Sequence, residues 1–119
     1  TNRGGLYTTE DNVSACFQFA NGIPGSGSWC FVAHESAKTD RIEIVGDKGQ
    51  LSFSVFTYEP ISIHTEEGQK ELIIPNPDHV QLPLIQNVVE HLQKKSICLC
   101  DCISATPVNW VMDKILNKF

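Results

Sequence analysis

A chain of 119 residues is long enough for one domain with a core and too short for two ordinary ones. Apolar residues make up 41% and charged residues 19%, a globular rather than a disordered balance. The net charge of −5 argues against an electrostatic grip on nucleic acid or an anionic membrane, and no apolar run approaches a membrane span. The first residues, Thr1-Asn2-Arg3, show no secretory signal and no initiator Met, which points to a mature product or an excised piece.

Taken in chain order, Val13, Ala15, Phe17 and Phe19 alternate, the period of a half-buried strand. Asn21-Gly22-Ile23-Pro24-Gly25-Ser26-Gly27 then breaks the pattern, and Trp29, Phe31 and Ala33 resume it, so a hairpin with a long glycine-rich loop is expected. A polar segment, His34 to Thr39, leads into Asp40 to Phe56. There Ile42 and Ile44 precede the spacer Gly46-Asp47-Lys48-Gly49, and Leu51, Phe53 and Val55 follow it, a second hairpin. Glycine and Asp tolerate the positive φ that such turns require. Beyond Pro60, Ile61, Ile63 and Leu72 to Ile74 predict two more short strands around Glu66-Glu67-Gly68.

At Pro75-Asn76-Pro77 the period changes. Leu84, Ile85, Val88, Val89 and Leu92 recur at three and four, predicting an amphipathic helix from Val80 to Lys94 with Pro83 in its first turn. Ile97 to Cys102 reads as extended. A last helix to about Lys118 takes Ser104 or Thr106 as its cap, Pro107 in its first turn, and Val108, Val111, Met112, Ile115 and Phe119 as its apolar stripe. Strands first and helices last give an α+β domain: a two-layer unit, one mostly antiparallel open sheet with both helices packed on one face.

Chemistry-bearing residues are sparse. His34, His64, His79 and His91 are scattered without metal-ligand spacing and read as surface or satisfied histidines. Cys98, Cys100 and Cys102 would share one face of a strand, where three thiolates suit a soft metal, but zinc sites favour other spacings and packed or partly exposed thiols are the simpler reading. Cys16 and Cys30 sit in apolar strand patterns as small hydrophobes. The five cysteines cannot all pair with one another, which fits a reduced, cytoplasmic setting. The loop Gly22 to Ser28 leads into a strand rather than a helix, so it is a hairpin loop and not a phosphate cradle. Glu90 with Lys94, and Asp113 with Lys114, read as solvated helix faces. No G-x-G-x-x-G follows a strand, and no nucleophile–base arrangement stands out. The residues assign no catalytic, cofactor-binding or metal site.

Asp40-Arg41-Ile42-Glu43-Ile44-Val45-Gly46-Asp47-Lys48-Gly49 with Leu51-Ser52-Phe53 resembles the "IEIxGxxGxL" hairpin of the glucose–fructose oxidoreductase, inositol dehydrogenase and dihydrodiol dehydrogenase (Gfo/Idh/MocA) family. Phe17-Gln18-Phe19-Ala20-Asn21-Gly22 with Gly27-Ser28-Trp29 is similar to that family's "F-x-N-G…G" hairpin. His79-Val80-Gln81-Leu82-Pro83-Leu84-Ile85-Gln86 and Asn109-Trp110-Val111-Met112-Asp113-Lys114-Ile115-Leu116 resemble its next and last helices. These segments span nearly the whole chain in order.

The resemblance implies a C-terminal α/β domain, residues 1–119, whose NAD- or NADP-binding Rossmann domain, with a Glu-Lys-Pro motif, lies outside this chain. It implies an oxidoreductase acting on a sugar, polyol or related hydroxyl compound, with this domain forming a wall of the substrate pocket. No catalytic residue carries over onto these positions, and Pro107 stands where the family has an arginine. The resemblance also implies a homodimer through the open sheet face, to which Val32, Val45 and Phe56 would give apolar character. A non-enzymatic regulator with the same two-domain body is the alternative, as is a stand-alone dimerisation or ligand-binding module. An intact Glu-Lys-Pro in the parent protein favours the enzyme.

Overall fold

The computed structural model describes residues 1–117. The chain divides into two compact units, Thr1–Thr39 and the residues from Asp40 onward. The fold class is α+β, with open antiparallel sheets followed by two helices. The strands, expected in one sheet, form two: a two-stranded and a four-stranded sheet.

The first unit is built on the hairpin β1 (Asn12–Gln18) and β2 (Pro24–Cys30), paired from Asn12↔Cys30 to Gln18↔Pro24. The long glycine-rich loop expected after Asn21 is a tight turn. Phe19 N–H donates to Ile23 O at 2.9 Å, Gly22 N–H donates to Phe19 O at 2.8 Å, and Gly22 takes φ +88°. Residues 24–30 are therefore strand, while Phe31 lies in a turn and Ala33 in coil. The glycines that suggested a loop serve packing instead. A Cβ on Gly25 would stand 2.5 Å from the Phe17 ring, and one on Gly27 would collide with the Trp29 ring, so each glycine makes room for an aromatic side chain lying across the strand.

The second unit begins with the meander β3 (Ile42–Gly46), β4 (Gly49–Phe53), β5 (Ile61–Thr65) and β6 (Gly68–Leu72), hydrogen-bonded in that order. Both of its short turns work alike. Gly46 pairs with Gly49, Thr65 pairs with Gly68, and the closing glycine takes the positive φ in each: +149° at Gly49 and +125° at Gly68. Asp47 needs no such conformation, contrary to the expectation for that turn. β4 ends at Phe53 and β6 at Leu72, so Val55, Ile73 and Ile74 lie outside the strands.

Helix α1 (Leu82–Leu92) carries Pro83 in its first turn, where the missing N–H leaves no carbonyl wanting. Helix α2 (Cys102–Ile115) starts earlier than expected. Its cap is Asp101, whose carboxylate accepts Ser104 N–H at 2.8 Å, and Pro107 falls inside the helix rather than in its first turn. Thr106, offered as a cap, instead donates its hydroxyl to Cys102 O at 2.6 Å. Ile97–Cys102 is not a strand but a bend that runs into α2. Lys118 and Phe119, the expected end of that helix and of its stripe, lie outside the described residues.

Among the described residues no apolar side chain is buried; the single buried residue is Asp11, at 1% exposure. The expected apolar stripes are present, yet they stand open: Leu84, Ile85, Val88 and Val89 on α1, and Val108 and Met112 on α2, are all exposed. Shape here is held by strand pairing and by polar anchors.

Candidate functional site

Cross-strand partners share a face, so the register of the meander sorts its residues unambiguously. Ile42, Ile44, Leu51, Phe53, Ile61, Ile63 and Leu72 fall together on one side, with Lys70 opposite Ile63. The other side carries Glu43, Gln50, Ser52, Ser62, His64, Gln69 and Glu71, with Val45 among them. On that polar side Gln50 donates its amide to Glu43 at 2.8 Å, and Arg41 pairs with Glu43. Val45 thus lies opposite the apolar set as expected, but its neighbours are polar. Val32 and Phe56 lie in a turn and a bend and contribute to neither face. The hairpin is two-sided as well. Phe17 and Trp29 share one side and are part exposed, and Phe17 meets Phe19 edge-on at 5.4 Å. Cys16 and Cys30 lie on the other side with Ser14, Ser26 and Ser28, exposed and free rather than packed as hydrophobes.

Three carboxylates hold the connections. Asp11 accepts Arg3 N–H on both oxygens, at 2.8 and 3.0 Å, and Gly4 N–H at 2.5 Å. A Cβ at Gly4 would stand 2.8 Å from Val32 and 3.0 Å from that carboxylate, so glycine is what lets the backbone close over it. Donation from Gly4 N–H, reinforced by Arg3 N–H, lowers the Asp11 pKa against the opposing effect of burial. Asp40 accepts Ser54 Oγ at 2.5 Å, Val55 N–H at 2.7 Å and Phe56 N–H at 2.5 Å, tying the entrance of β3 to the exit of β4. The Ser54 hydroxyl first, and Phe56 N–H next, lower its pKa. Asp101 is lowered chiefly by Ser104 N–H. No sequence pattern marks Asp11 or Asp40, because their partners are backbone groups distant along the chain.

The segment between the helices is the most elaborately held. Asn87, half-buried on α1, accepts Leu99 N–H at 2.9 Å and donates its amide to Ile97 O at 3.1 Å. One turn on, His91 Nδ1 accepts Cys98 N–H at 3.1 Å and lies 3.2 Å from Ser96 O. Cys98 is half-buried, while Cys100 and Cys102 are exposed; all three are free thiols. Among the described residues no three His, Cys, Asp or Glu side chains come together in a way that could hold a metal ion. Glu90 is engaged by Gln86 Nε2 at 3.2 Å, and Lys94 lies beyond the helix end, so the expected Glu90–Lys94 support is replaced. Lys114 sits over the Trp110 ring at 5.6 Å. His34 caps a short 3₁₀ turn, Glu35–Ala37, by accepting Ser36 N–H at 3.2 Å, and His79 O accepts Leu82 N–H at the start of α1.

Neither helix start suits a dinucleotide. α1 opens on Gln81-Leu82-Pro83 with no glycine turn before it, and the α2 N-terminus already holds the Asp101 carboxylate where a pyrophosphate would bind. These residues do not fit a nicotinamide cofactor, and no step of hydride transfer is assigned to them.

Comparison with known proteins decides the family. Residues 1–115 match the family described as "Oxidoreductase family, C-terminal alpha/beta domain" (Gfo/Idh/MocA). The chain belongs to it. Over 105 residues it is 31% identical to Oxidoreductase P35 of Formosa agariphila, an alignment covering 88% of this chain and 32% of that protein. The chain thus spans about a third of the length of the curated relative it matches. No solved structure matches it. No helix among the described residues is long and apolar enough to cross a membrane.

Proposed function

We propose that this domain serves a cytoplasmic NAD(P)-dependent oxidoreductase that acts on a sugar, polyol or related hydroxyl compound. The observation that carries the reading is the family match over residues 1–115, joined to a curated relative named as an oxidoreductase. In this division of labour a separate Rossmann domain binds the cofactor, which carries the hydride chemistry, and the present domain supplies one wall of the substrate pocket. The fold supports that assignment physically. One side of the meander carries seven apolar residues, of which Ile42, Ile44 and Leu72 stand exposed, and such a side suits packing against the rest of a longer polypeptide.

The test is hydride transfer by the full-length protein: reduction of NAD or NADP, followed by absorbance, across a panel of sugars and polyols. Oxidation of the alcohol to a carbonyl, with the hydride appearing on the nicotinamide, supports the reading. No turnover with any substrate, together with no nucleotide binding by the full-length protein, overturns it in favour of a regulator.

Self-association through the sheet is the second part of the proposal, with a second copy of the protein as the occupant. Four strands of this length present a face of roughly 300 Å² at the usual strand spacing. A stable dimer needs about 800 Å² from each partner, so the contact extends beyond the strands. Val45→Glu, on the side that carries Glu43 and Glu71, shifts the full-length protein toward monomer in sedimentation if that side is the contact. An unchanged dimer places the contact elsewhere.

A further inference from the structure

The end of α1 departs from ordinary helix-stop chemistry. Lys94 N–H donates to His91 O at 2.9 Å and Lys95 N–H donates to Glu90 O at 2.9 Å, the paired bonds of a Schellman stop. The residue past the cap in such a stop is left-handed and is usually glycine, less often asparagine. Here it is Lys94, at φ +59°, whereas Asn117 holds the equivalent place after α2 at φ +52°. A long side chain in that conformation is disfavoured, and such departures cluster where they serve a ligand. The helix dipole welcomes a cation at this end, but Lys95, whose backbone is not left-handed, already supplies one.

At this helix end lies an open-sided notch of about 380 Å³ lined by His91, Lys94, Lys95, Ser96 and Ile97. Lys94 and Lys95 are the chain's only adjacent pair of basic residues. The His91 ring is oriented by its Nδ1, which accepts Cys98 N–H at 3.1 Å and so leaves the ring proton on Nε2 as a donor. The acidic residue on the same turn, Glu90, is turned to Gln86 Nε2 and to the Ser96 hydroxyl, at 3.2 and 3.4 Å. Two lysines and a histidine therefore line one small, open-sided concavity in a chain whose net charge is −5.

We propose that this notch is a binding site for a phosphate-type dianion, with Lys94, Lys95 and His91 Nε2 as its donors. A tetrahedral oxyanion accepts bonds from several directions at once, which suits two flexible ammonium groups beside an oriented ring. Inorganic phosphate and the phosphoryl group of a phosphorylated small molecule share this chemistry.

The experiment is an NMR titration of the full-length protein with inorganic phosphate and, in a second arm, with a hexose phosphate, each against sodium chloride at matched ionic strength. Saturable shifts of the His91 ring and of the amides from Lys94 to Cys98, half-complete on the order of 1 mM, are expected with phosphate and not with chloride. The hexose phosphate saturating at lower concentration assigns the site to phosphorylated small molecules; equal or weaker saturation assigns it to the free anion. Lys94→Gly separates binding from folding, because it removes one donor while relieving the left-handed backbone. It should weaken binding at least about fivefold with no fall in melting temperature. Lys95→Gln should weaken binding similarly, and Lys48→Gln, in the β3–β4 turn, should not. Identical responses to phosphate and chloride, or unchanged affinity in Lys94→Gly, overturn the proposal.

Discussion

The two units solve one problem differently. In the hairpin unit, aromatic rings lie flat across glycines of the neighbouring strand or of their own, and a buried carboxylate gathers the N-terminal backbone. In the meander unit, aliphatic side chains pair across strands, closing glycines set the turns, and side-chain amide, imidazole and carboxylate groups fasten the connections. Neither unit buries an apolar residue among those described, so in both the order of the connections rests on polar anchors that accept backbone N–H groups. The difference lies in what glycine does. In the hairpin strands, at Gly25 and Gly27, it yields space to a ring; in the meander turns, at Gly49 and Gly68, it supplies a backbone angle. Substitution should therefore be tolerated better at the first pair than at the second.

Gly49→Ala is the harshest test of that contrast. A Cβ there collides with the backbone carbonyl of His64, which cannot swing aside, and φ is +149°. A loss of about 2–4 kcal/mol in denaturant unfolding is expected, with amide protection lost across β3–β5. Asp11→Asn comes next. The neutral amide retains an acceptor oxygen but turns an NH₂ toward Arg3 or Gly4 N–H, so exchange of those two amides should rise about tenfold or more. The wild-type pH profile follows from the same group. Its folded pKa is lowered, so its stabilisation is complete above the ordinary aspartate value near 4 and is lost as pH falls through the folded value. Asp40 and Asp101 act in the same direction. Acid loosening below about pH 4 should be shallower in Asp11→Asn, as read by amide exchange at Arg3 and Gly4.

Asn87→Ala sharpens the account of the inter-helix segment. It removes the acceptor for Leu99 N–H and the donor to Ile97 O, costing about 1 kcal/mol and raising exchange at Leu99 more than at Cys98, which His91 still holds. The smallest effect belongs to Gly27→Ala. The Trp29 ring, 43% exposed, can turn away from the new methyl group, so stability should change by less than about 1 kcal/mol while the near-ultraviolet signal of Trp29 changes clearly. A large destabilisation there would erase the distinction between the two uses of glycine.

Much of this architecture is legible in the sequence wherever a short-range rule governs. The alternation around Gly46–Gly49 fixes both strands and their turn, and the spacing of Leu84, Ile85, Val88 and Val89 fixes α1. The family hairpin is legible for the same reason. Reading fails where a residue type has two uses. Gly25 and Gly27 read as loop because their service to Phe17 and Trp29 depends on ring placement. Pro107 reads as a first-turn residue, although Asp101 three residues before Ser104 was the stronger cap signal. The anchors Asp11, Asn87 and His91 were not legible, since what they bind is backbone, and backbone N–H groups leave no mark in the letters.

The meander ends on β3, which has β4 on one side and no strand on the other among the described residues. Its Ile44 is 58% exposed and its Val45 76%, so both faces of this border strand are greasy at the same point. Bulges and prolines, common deterrents against strand recruitment, are missing from Ile42–Gly46, and Glu43 is its single charge. Handled at high concentration without a covering surface, the protein should begin to form cross-β aggregates here, and a lysine at position 45 would be the economical gatekeeper.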